Sequence, residues 1–298
     1  MKKMLFFVNP AAGREEMRYQ LMDAISYFTK NGYDVLCHPT QKPRDIPEFI
    51  AERGSEFDMI VSCGGDGTLN ETVSGFMQLE QRPLLGYIPA GTVNDFATSL
   101  HIPKTIPEAV HNIIEGEPFP VDMGAFCGSS YFTYVAAFGA FTKVSYATPH
   151  ASKQALGRAA YILEGIRSLP DIRPIHVVVE YDGKTIEDDV IYGMVSNATS
   201  VGGFQLLDDS MVRLDDGLNE MALVRAPRGL PDYNAIVTGA LTHNFTEDHF
   251  HIFQSDHIVL HFDEAVAWTL DGEFGGETKD AVISNVATPI SIMVPRRA

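Results

Sequence analysis

The chain is poor in cysteine, in positive charge and in long apolar runs. Its three cysteines, Cys37, Cys63 and Cys127, lie far apart with no C-x-x-C pair. That excludes a disulfide framework and reads as reduced thiols in a cytosol. Lys and Arg number 22 against 39 Asp and Glu, for a net charge of −17. A nucleic-acid binder needs a basic face, so that class is excluded. Strong global attraction to anionic lipid is excluded too, although a local basic patch is still allowed. Lys2-Lys3 before Met4-Leu5-Phe6-Phe7-Val8 resembles the start of a signal peptide. The run stops at Asn9-Pro10, and no small-residue cleavage site follows. The longest uncharged stretch, 123–142, contains Gly124, Gly128, Ser129, Ser130 and Gly139. Turn residues at that density predict paired strands, not a membrane span. The expectation is a soluble, cytoplasmic protein with only peripheral membrane contact. Two phosphate-binding signatures are also missing: no G-x-x-x-x-G-K-[ST] occurs, and no G-x-G-x-x-G opens a helix. P-loop NTPases, typical Rossmann dehydrogenases and protein kinases are thereby disfavoured.

What is present is a different glycine turn. Gly64-Gly65-Asp66-Gly67-Thr68 follows the apolar run 58–63 and precedes a helical pattern from Leu69. Glycines remove the Cβ atoms that block close approach to a phosphate. The helix start adds N–H donors and partial positive charge. Thr68 is expected to cap that helix, and Asp66 places a carboxylate where magnesium would accompany phosphates.

The surrounding pattern divides the chain in two. Within 1–122, strands are predicted at 4–8, 33–40, 58–63 and 84–88, and helices at 15–31, 46–54 and 106–116. Tyr19, Met22, Ile25 and Phe28 recur at helical spacing in the first helix, which ends at Gly32. This alternation predicts a Rossmann-like, mostly parallel α/β domain. After Val121-Asp122 strands dominate, at 131–138, 175–181, 190–195, 218–224, 250–253, 257–262 and 290–294. Asp182-Gly183 is a hairpin turn, and only 155–169 and 231–242 look helical. Residues 123–298 therefore form an antiparallel β-sandwich domain in this reading.

Several polar turns punctuate this frame. Asn9-Pro10-Ala11-Ala12-Gly13 ends the first strand, and the carboxyl ends of parallel strands share one crevice. Asn9 and Gly13 then face the ligand of the glycine loop. Pro89-Ala90-Gly91-Thr92-Val93-Asn94-Asp95-Phe96-Ala97 is a third such strand end, where Asn94 or Asp95 also suits a helix cap. Asp122 ends a further strand. Asp66, Asp95 and Asp122 around one crevice would repel one another unless a cation, most plausibly magnesium, joined them. Leu270-Asp271-Gly272-Glu273 is either a plain hairpin turn or the seat of a general base. Leu214-Asp215-Asp216-Gly217-Leu218 reads from its residues as a solvated turn, with divalent-ion binding the alternative.

Taken in order, these motifs resemble the soluble bacterial diacylglycerol kinases and the wider lipid kinases that include sphingosine and ceramide kinases. The resemblance rests on Asn9-Pro10-x-x-Gly13, Gly64-Gly65-Asp66-Gly67-Thr68-x-Asn70-Glu71, Pro89-x-Gly91-Thr92-x-Asn94-Asp95-Phe96-Ala97, Val121-Asp122-x-Gly124, Leu214-Asp215-Asp216-Gly217 and Leu270-Asp271-Gly272-Glu273. The stretch 142–149 further resembles enzymes of Gram-positive bacteria. The glycine loop alone is shared with NAD kinases and phosphofructokinases.

The resemblance implies ATP between the two domains. It implies that Asn9, Thr40, Gly65, Asp66, Gly67, Thr68 and Thr92 meet the nucleotide, with Pro10, Gly13, Gly64, Asn70, Glu71 and Asn94 in the same motifs. Asp66, Asp95 and Asp122 would hold catalytic magnesium, partly through water. Glu273 would be the general base, with Asp271 beside it. Asp216 and the carbonyls of Arg213 and Leu218 would hold a structural magnesium, which overturns the plain-turn reading. About ten final residues would return to the first domain. The implied activity is ATP-dependent phosphorylation of diacylglycerol at a membrane surface. The alternatives are an NAD kinase, a kinase of another lipid alcohol, or a nucleotide-binding regulatory paralogue. The oligomeric state stays open, a homodimer included. Lys143, Lys153 and Arg158 are the local candidates for a membrane-facing patch, against an ordinary solvated face.

Overall fold

A computed structural model of the chain describes residues 1–10, 16–140, 173–201, 204–205, 213–286 and 290–296. Gly13, the stretch 142–149, the helix expected at 155–169 and the patch of Lys143, Lys153 and Arg158 lie outside the described residues. The chain divides into two compact units, one of Met1–Asp122 with Thr288–Ala298 and one of Met123–Ala287.

The first unit alternates strand and helix: β1 (Lys2–Val8), α1 (Glu16–Lys30), β2 (Tyr33–Pro39), α2 (Asp45–Arg53), β3 (Met59–Gly64), α3 (Asp66–Phe76), β4 (Leu84–Pro89), α4 (Asp95–Ser99), α5 (Ile106–Glu115) and β5 (Glu117–Val121). The strand Ile290–Val294, β17 in chain order, joins the same sheet. The sheet order is β2-β1-β3-β4-β17-β5. β1 pairs in parallel with β2 on one side and β3 on the other, and β4 pairs in parallel with β3. The run Met4-Leu5-Phe6-Phe7 is apolar without alternation because helices cover both faces of β1, and all four residues are fully buried. Phe6 meets Phe28 of α1 edge-on at 5.7 Å, and Phe7 meets Phe49 of α2 at 5.8 Å. Tyr19 and Met22 depart from the expected apolar stripe of α1, being 79% and 70% exposed, while Ala24 and Phe28 are buried.

Connections leave β1 in opposite directions, first to β2 and then to β3. Order reverses between β1 and β3, which opens a crevice at their carboxyl ends. The loops after Val8 and Gly64 flank that opening. β5 carries Pro118 and Pro120, which donate no ladder hydrogen bond, and accordingly it takes the edge of the sheet.

The second unit consists of β6 (Gly124–Phe126), β7 (Ser130–Phe132), β8 (Val135–Gly139), β9 (Ile175–Tyr181), β10 (Lys184–Ser196), β11 (Ser200–Val201), β12 (Phe204–Gln205), β13 (Asn219–Arg225), α6 (Leu230–Thr242), β14 (Phe250–Ser255), β15 (His257–Leu270) and β16 (Glu273–Asn285). Nine strands form one antiparallel sheet that folds over on itself. The first half of β10 pairs with β9 and its second half with β8. β15 does the same from the other side. Folding the sheet this way encloses a core around Trp268, which is fully buried between Phe126, Phe138 and Phe262. Asp182-Gly183 makes the expected hairpin turn, with Tyr181 opposite Lys184.

Candidate phosphate loops and acidic turns

In the first unit, the loops after β1, β3 and β4 are knitted together by short polar contacts. The Asn9 N–H donates to the Cys63 carbonyl at 3.0 Å, and Asn9 Nδ2 donates to Thr68 Oγ1 at 3.0 Å. The Thr40 N–H donates to the Val8 carbonyl at 2.9 Å, so half-buried Thr40 extends β2 beside the end of β1. Pro10 follows, exposed. Helix α3 starts three residues earlier than its apolar pattern, at Asp66, and its N-cap is Gly65. Thr68 therefore does not cap it. It sits inside the first turn, and its hydroxyl receives the Asn9 amide instead. With glycine at the cap, no cap side chain covers the helix start, and Gly67 is exposed there.

The glycines are required by contact. A Cβ on Gly64 would lie 2.4 Å from Thr68 Oγ1, and one on Gly91 would lie 2.5 Å from Gly65 Cα. The two loops thus touch backbone to backbone. The Ala90 N–H donates to the Gly64 carbonyl at 2.8 Å. Asn94 sits at φ 57°, with its side chain folded back on Gly91: Oδ1 accepts the Gly91 N–H at 3.0 Å and Nδ2 donates to the Gly91 carbonyl at 2.9 Å. It is the backbone N-cap of α4, but its side chain makes no capping bond. Asp66 Oδ2 accepts the Asp95 N–H at 3.3 Å, tying the glycine loop to the start of α4. Thr92 is exposed in this loop. Glu71 serves a neighbouring helix instead: Oε1 accepts the Arg44 N–H at 3.0 Å, at the N-cap of α2. Asn70, half-buried on α3, lies between them in sequence.

Asp95 and Asp122 are buried, at 1% and 6% exposure. The Tyr87 phenol lies fully buried nearby. Burial lifts its pKa well above the ordinary value, and the charges of Asp66, Cys63 and Asp95 add to the rise. Burial also pushes the Cys63 thiol up to about 12, which leaves it a protonated core residue and no nucleophile. Among the described residues, no three His, Cys, Asp or Glu side chains come together as a metal site. Magnesium demands less, binding through one or two carboxylates, its own waters and substrate phosphates. Asp66 and Asp95, hard oxygen donors beside a helix start, fit such an ion.

In the second unit, Asp271 and Gly272 form the two-residue turn between β15 and β16, with φ of 49° and 83° and Leu270 opposite Glu273. The Asp271 carboxylate is buried and accepts four hydrogen bonds. They come from the N–H groups of Thr133, Tyr134 and Val135 at 2.7, 3.0 and 3.0 Å and from Thr133 Oγ1 at 2.8 Å. Burial pushes this carboxyl up, and the four donors pull part of the rise back. Its acceptor capacity is spent on its own chain. Glu273, two residues on, is exposed at the first position of β16. Of the two acidic residues, Glu273 is the one open to solvent.

The other acidic turn is looser. Asp216 Oδ1 accepts the Leu218 N–H at 3.1 Å, a local Asx turn, and Arg213 pairs with Asp215 at 3.6 Å. The second Asp216 oxygen and the Arg213 and Leu218 carbonyls are hard donors of the type magnesium takes. Thr133 and Tyr87 carried no expectation. Thr133 is hidden in an uncharged stretch. Tyr87 was legible as a hydroxyl inside an apolar strand, which needs a partner when buried.

Residues 3–126 match the family profile of the diacylglycerol kinase catalytic domain. The diacylglycerol kinase of Bacillus subtilis (strain 168) is 35% identical over 300 residues, covering 99% of this chain and 97% of that protein. That of Staphylococcus aureus (strain MRSA252) is 34% identical, covering 99% and 93%. A crystal structure of a candidate diacylglycerol kinase from Bacillus anthracis str. Sterne superposes with a TM-score of 0.85 at 27% identity, covering 98% of this chain and 95% of that one. An NAD kinase from Archaeoglobus fulgidus, solved with ATP, superposes with a TM-score of 0.51 at 14% identity, covering 98% and 93%. That last likeness is one of fold alone. None of the described helices is long and apolar enough to cross a membrane.

Proposed function

Since the chain belongs to the diacylglycerol kinase family, we propose that it transfers the γ-phosphoryl group of ATP to the free hydroxyl of diacylglycerol, giving phosphatidic acid and ADP. The observation that carries the nucleotide half is the helix start at Gly65–Thr68, left without a cap side chain and backed by a second glycine loop in backbone contact. The first unit holds the nucleotide in this reading. N–H groups at the start of α3 meet phosphate oxygens, while Asn9 orients Thr68 and Thr40 lines the same crevice. Magnesium, bound with the phosphates by Asp66 and Asp95 and supported by Asp122, supplies the charge neutralisation that phosphoryl transfer needs.

The second unit works on the alcohol. Its oxygen forms the new bond to the γ-phosphorus as the bond to the β-phosphate oxygen breaks, and Glu273 accepts the hydroxyl proton. Asp271 holds the turn that presents Glu273. Asp216, with the Arg213 and Leu218 carbonyls, holds a second, structural magnesium in this proposal. A chelator should then lower the melting temperature of the parent and not that of Asp216→Ala; equal melting with and without chelator in both would remove that ion from the scheme. The lipid is met at a membrane surface by peripheral contact.

The test offers labelled ATP and magnesium together with diacylglycerol in mixed micelles or with NAD. Labelled phosphatidic acid is the expected product. Labelled NADP, or no labelled product from diacylglycerol, would refute the assignment.

A further inference from the structure

Tyr87 stands apart from the family motifs yet touches both phosphate loops. It is the fourth residue of β4, fully buried, opposite Ser62 of β3 in the register of the sheet. Its ring fills the layer beneath α3, where Thr72 Oγ1 also donates to Ser62 Oγ at 3.0 Å. From there its hydroxyl lies 3.3 Å from the Gly64 carbonyl and 3.4 Å from Asn94 Oδ1. Gly64 belongs to the loop after β3, and Asn94 closes the loop after β4.

Neither acceptor depends on the phenol. The Gly64 carbonyl already accepts the Ala90 N–H, and Asn94 Oδ1 already accepts the Gly91 N–H. Removing the hydroxyl would orphan no buried acceptor, so the larger penalty of an unsatisfied group does not apply. Folding thus has little need of this hydroxyl. It adds a further side-chain link, beside that of Asp66 to the Asp95 N–H, between two loops whose backbones meet at Gly65 and Gly91. A long bond that adds little stability can still set which of several close arrangements the glycine backbones adopt.

We infer that Tyr87 is a positioning residue, its hydroxyl holding the 64–68 and 91–94 loops in the register that receives the nucleotide phosphates. The inference rests on the proposal that these loops bind ATP. A phenylalanine keeps the ring and the packing and removes only the bridge. Losing one net hydrogen bond's worth of organisation corresponds to about a three- to tenfold weakening.

The experiment measures the Kd for ATP with magnesium by calorimetry, and the KM for ATP and for diacylglycerol by turnover. It compares the parent, Tyr87→Phe and Ser62→Ala, with melting temperatures for all three. Tyr87→Phe should raise Kd and KM for ATP by about three- to tenfold, leave KM for diacylglycerol unchanged and shift Tm by only a few degrees. Ser62→Ala removes a buried hydroxyl from the same layer without touching either loop's glycines, and should leave Kd for ATP unchanged. An ATP Kd for Tyr87→Phe within twofold of the parent would overturn the inference. So would a rise that Ser62→Ala reproduces, since it would mark a general softening of the layer. A parent that binds ATP but fails to phosphorylate diacylglycerol would refute the acceptor assignment alone, and the Kd comparison would still decide on Tyr87. A parent that does not bind ATP would overturn both.

Discussion

The two units each gather backbone N–H groups where a negative charge can sit, and they treat those groups in opposite ways. In the second unit, three consecutive N–H groups and a hydroxyl close on the chain's own Asp271 carboxylate. In the first, the start of α3 follows a glycine cap with no side chain to cover it. The same physics gives a structural clasp in one place and, in the proposed function, a docking place for phosphate in the other. What separates them is the residue at the turn. An aspartate at φ 49° folds its carboxylate back onto nearby N–H groups, whereas glycine has no carboxylate to turn back.

Breaking the closed arrangement should have the largest effect. Asp271→Asn puts an amide nitrogen against N–H donors, and each buried donor left without an acceptor costs about 1–3 kcal/mol. Two or more such losses amount to several kcal/mol, a large share of ordinary domain stability. Urea unfolding of this variant should show a much lower midpoint. A midpoint equal to the parent's would mean that the clasp is not structural.

Glu273→Gln should leave that midpoint alone and lower kcat by about 10²–10⁴, the usual worth of a positioned base. KM for ATP should stay put, because in the proposed function the residue acts on the lipid hydroxyl. If Glu273→Gln turns over normally while a folded Asp271→Asn does not, the base has been misassigned.

A smaller effect is expected from filling the open side. Gly91→Ala places a methyl group 2.5 Å from Gly65 Cα, so the two loops must part. Displacements of that order cost up to about 10²-fold when they misplace a reacting group. KM for ATP should rise by about tenfold or more, with KM for diacylglycerol unaffected. Unchanged nucleotide kinetics would show that the Gly65–Gly91 contact serves folding alone.

The mildest test concerns an acid pair away from both turns. Burial alone would raise the Asp188 carboxyl, but the hydrogen bond from His251, the Asp189 N–H and the Arg225 charge outweigh it and hold the pKa below the ordinary value. A depressed carboxyl contributes stability that is present above its unfolded pKa, near 4, and lost as pH falls through the folded value. Asp188→Asn should therefore lose less stability than the parent on going from pH 5 to pH 2–3. The difference should be about 1 kcal/mol or less, and parallel acid unfolding of parent and variant would remove the pair from the stability balance.

Much of the first unit could be read from its residues because its strands are buried on both faces and its turns are glycine-marked. Thr68 misled because a hydroxyl three residues past a glycine looks like a cap, whereas the helix begins at Asp66 and the hydroxyl is drawn to Asn9. The second unit hid more. The strand expected at 131–138 breaks at Thr133-Tyr134 because their N–H groups turn to Asp271, a partner 137 or more residues away. β16 carried no expectation at all. Gly275 and Gly276, a register shift beside them and its many charged, exposed positions erase the alternation that marks a strand. β15 runs on past Phe262 through Asp263 and Glu264, over another irregularity that periodicity does not see. For β17, local pattern predicts a strand but cannot say which sheet it joins.

The contrast between the open and the closed N–H groups can be read directly from backbone amide resonances of the parent titrated with ATP and magnesium. The amides of Gly65, Asp66, Gly67 and Thr68 should shift strongly and saturate with the Kd for ATP, while those of Thr133, Tyr134 and Val135 should keep their low-temperature-coefficient, carboxylate-bonded signatures. Saturating shifts confined to other residues, with the 65–68 amides unmoved, would contradict the assignment of the α3 start as the phosphate site.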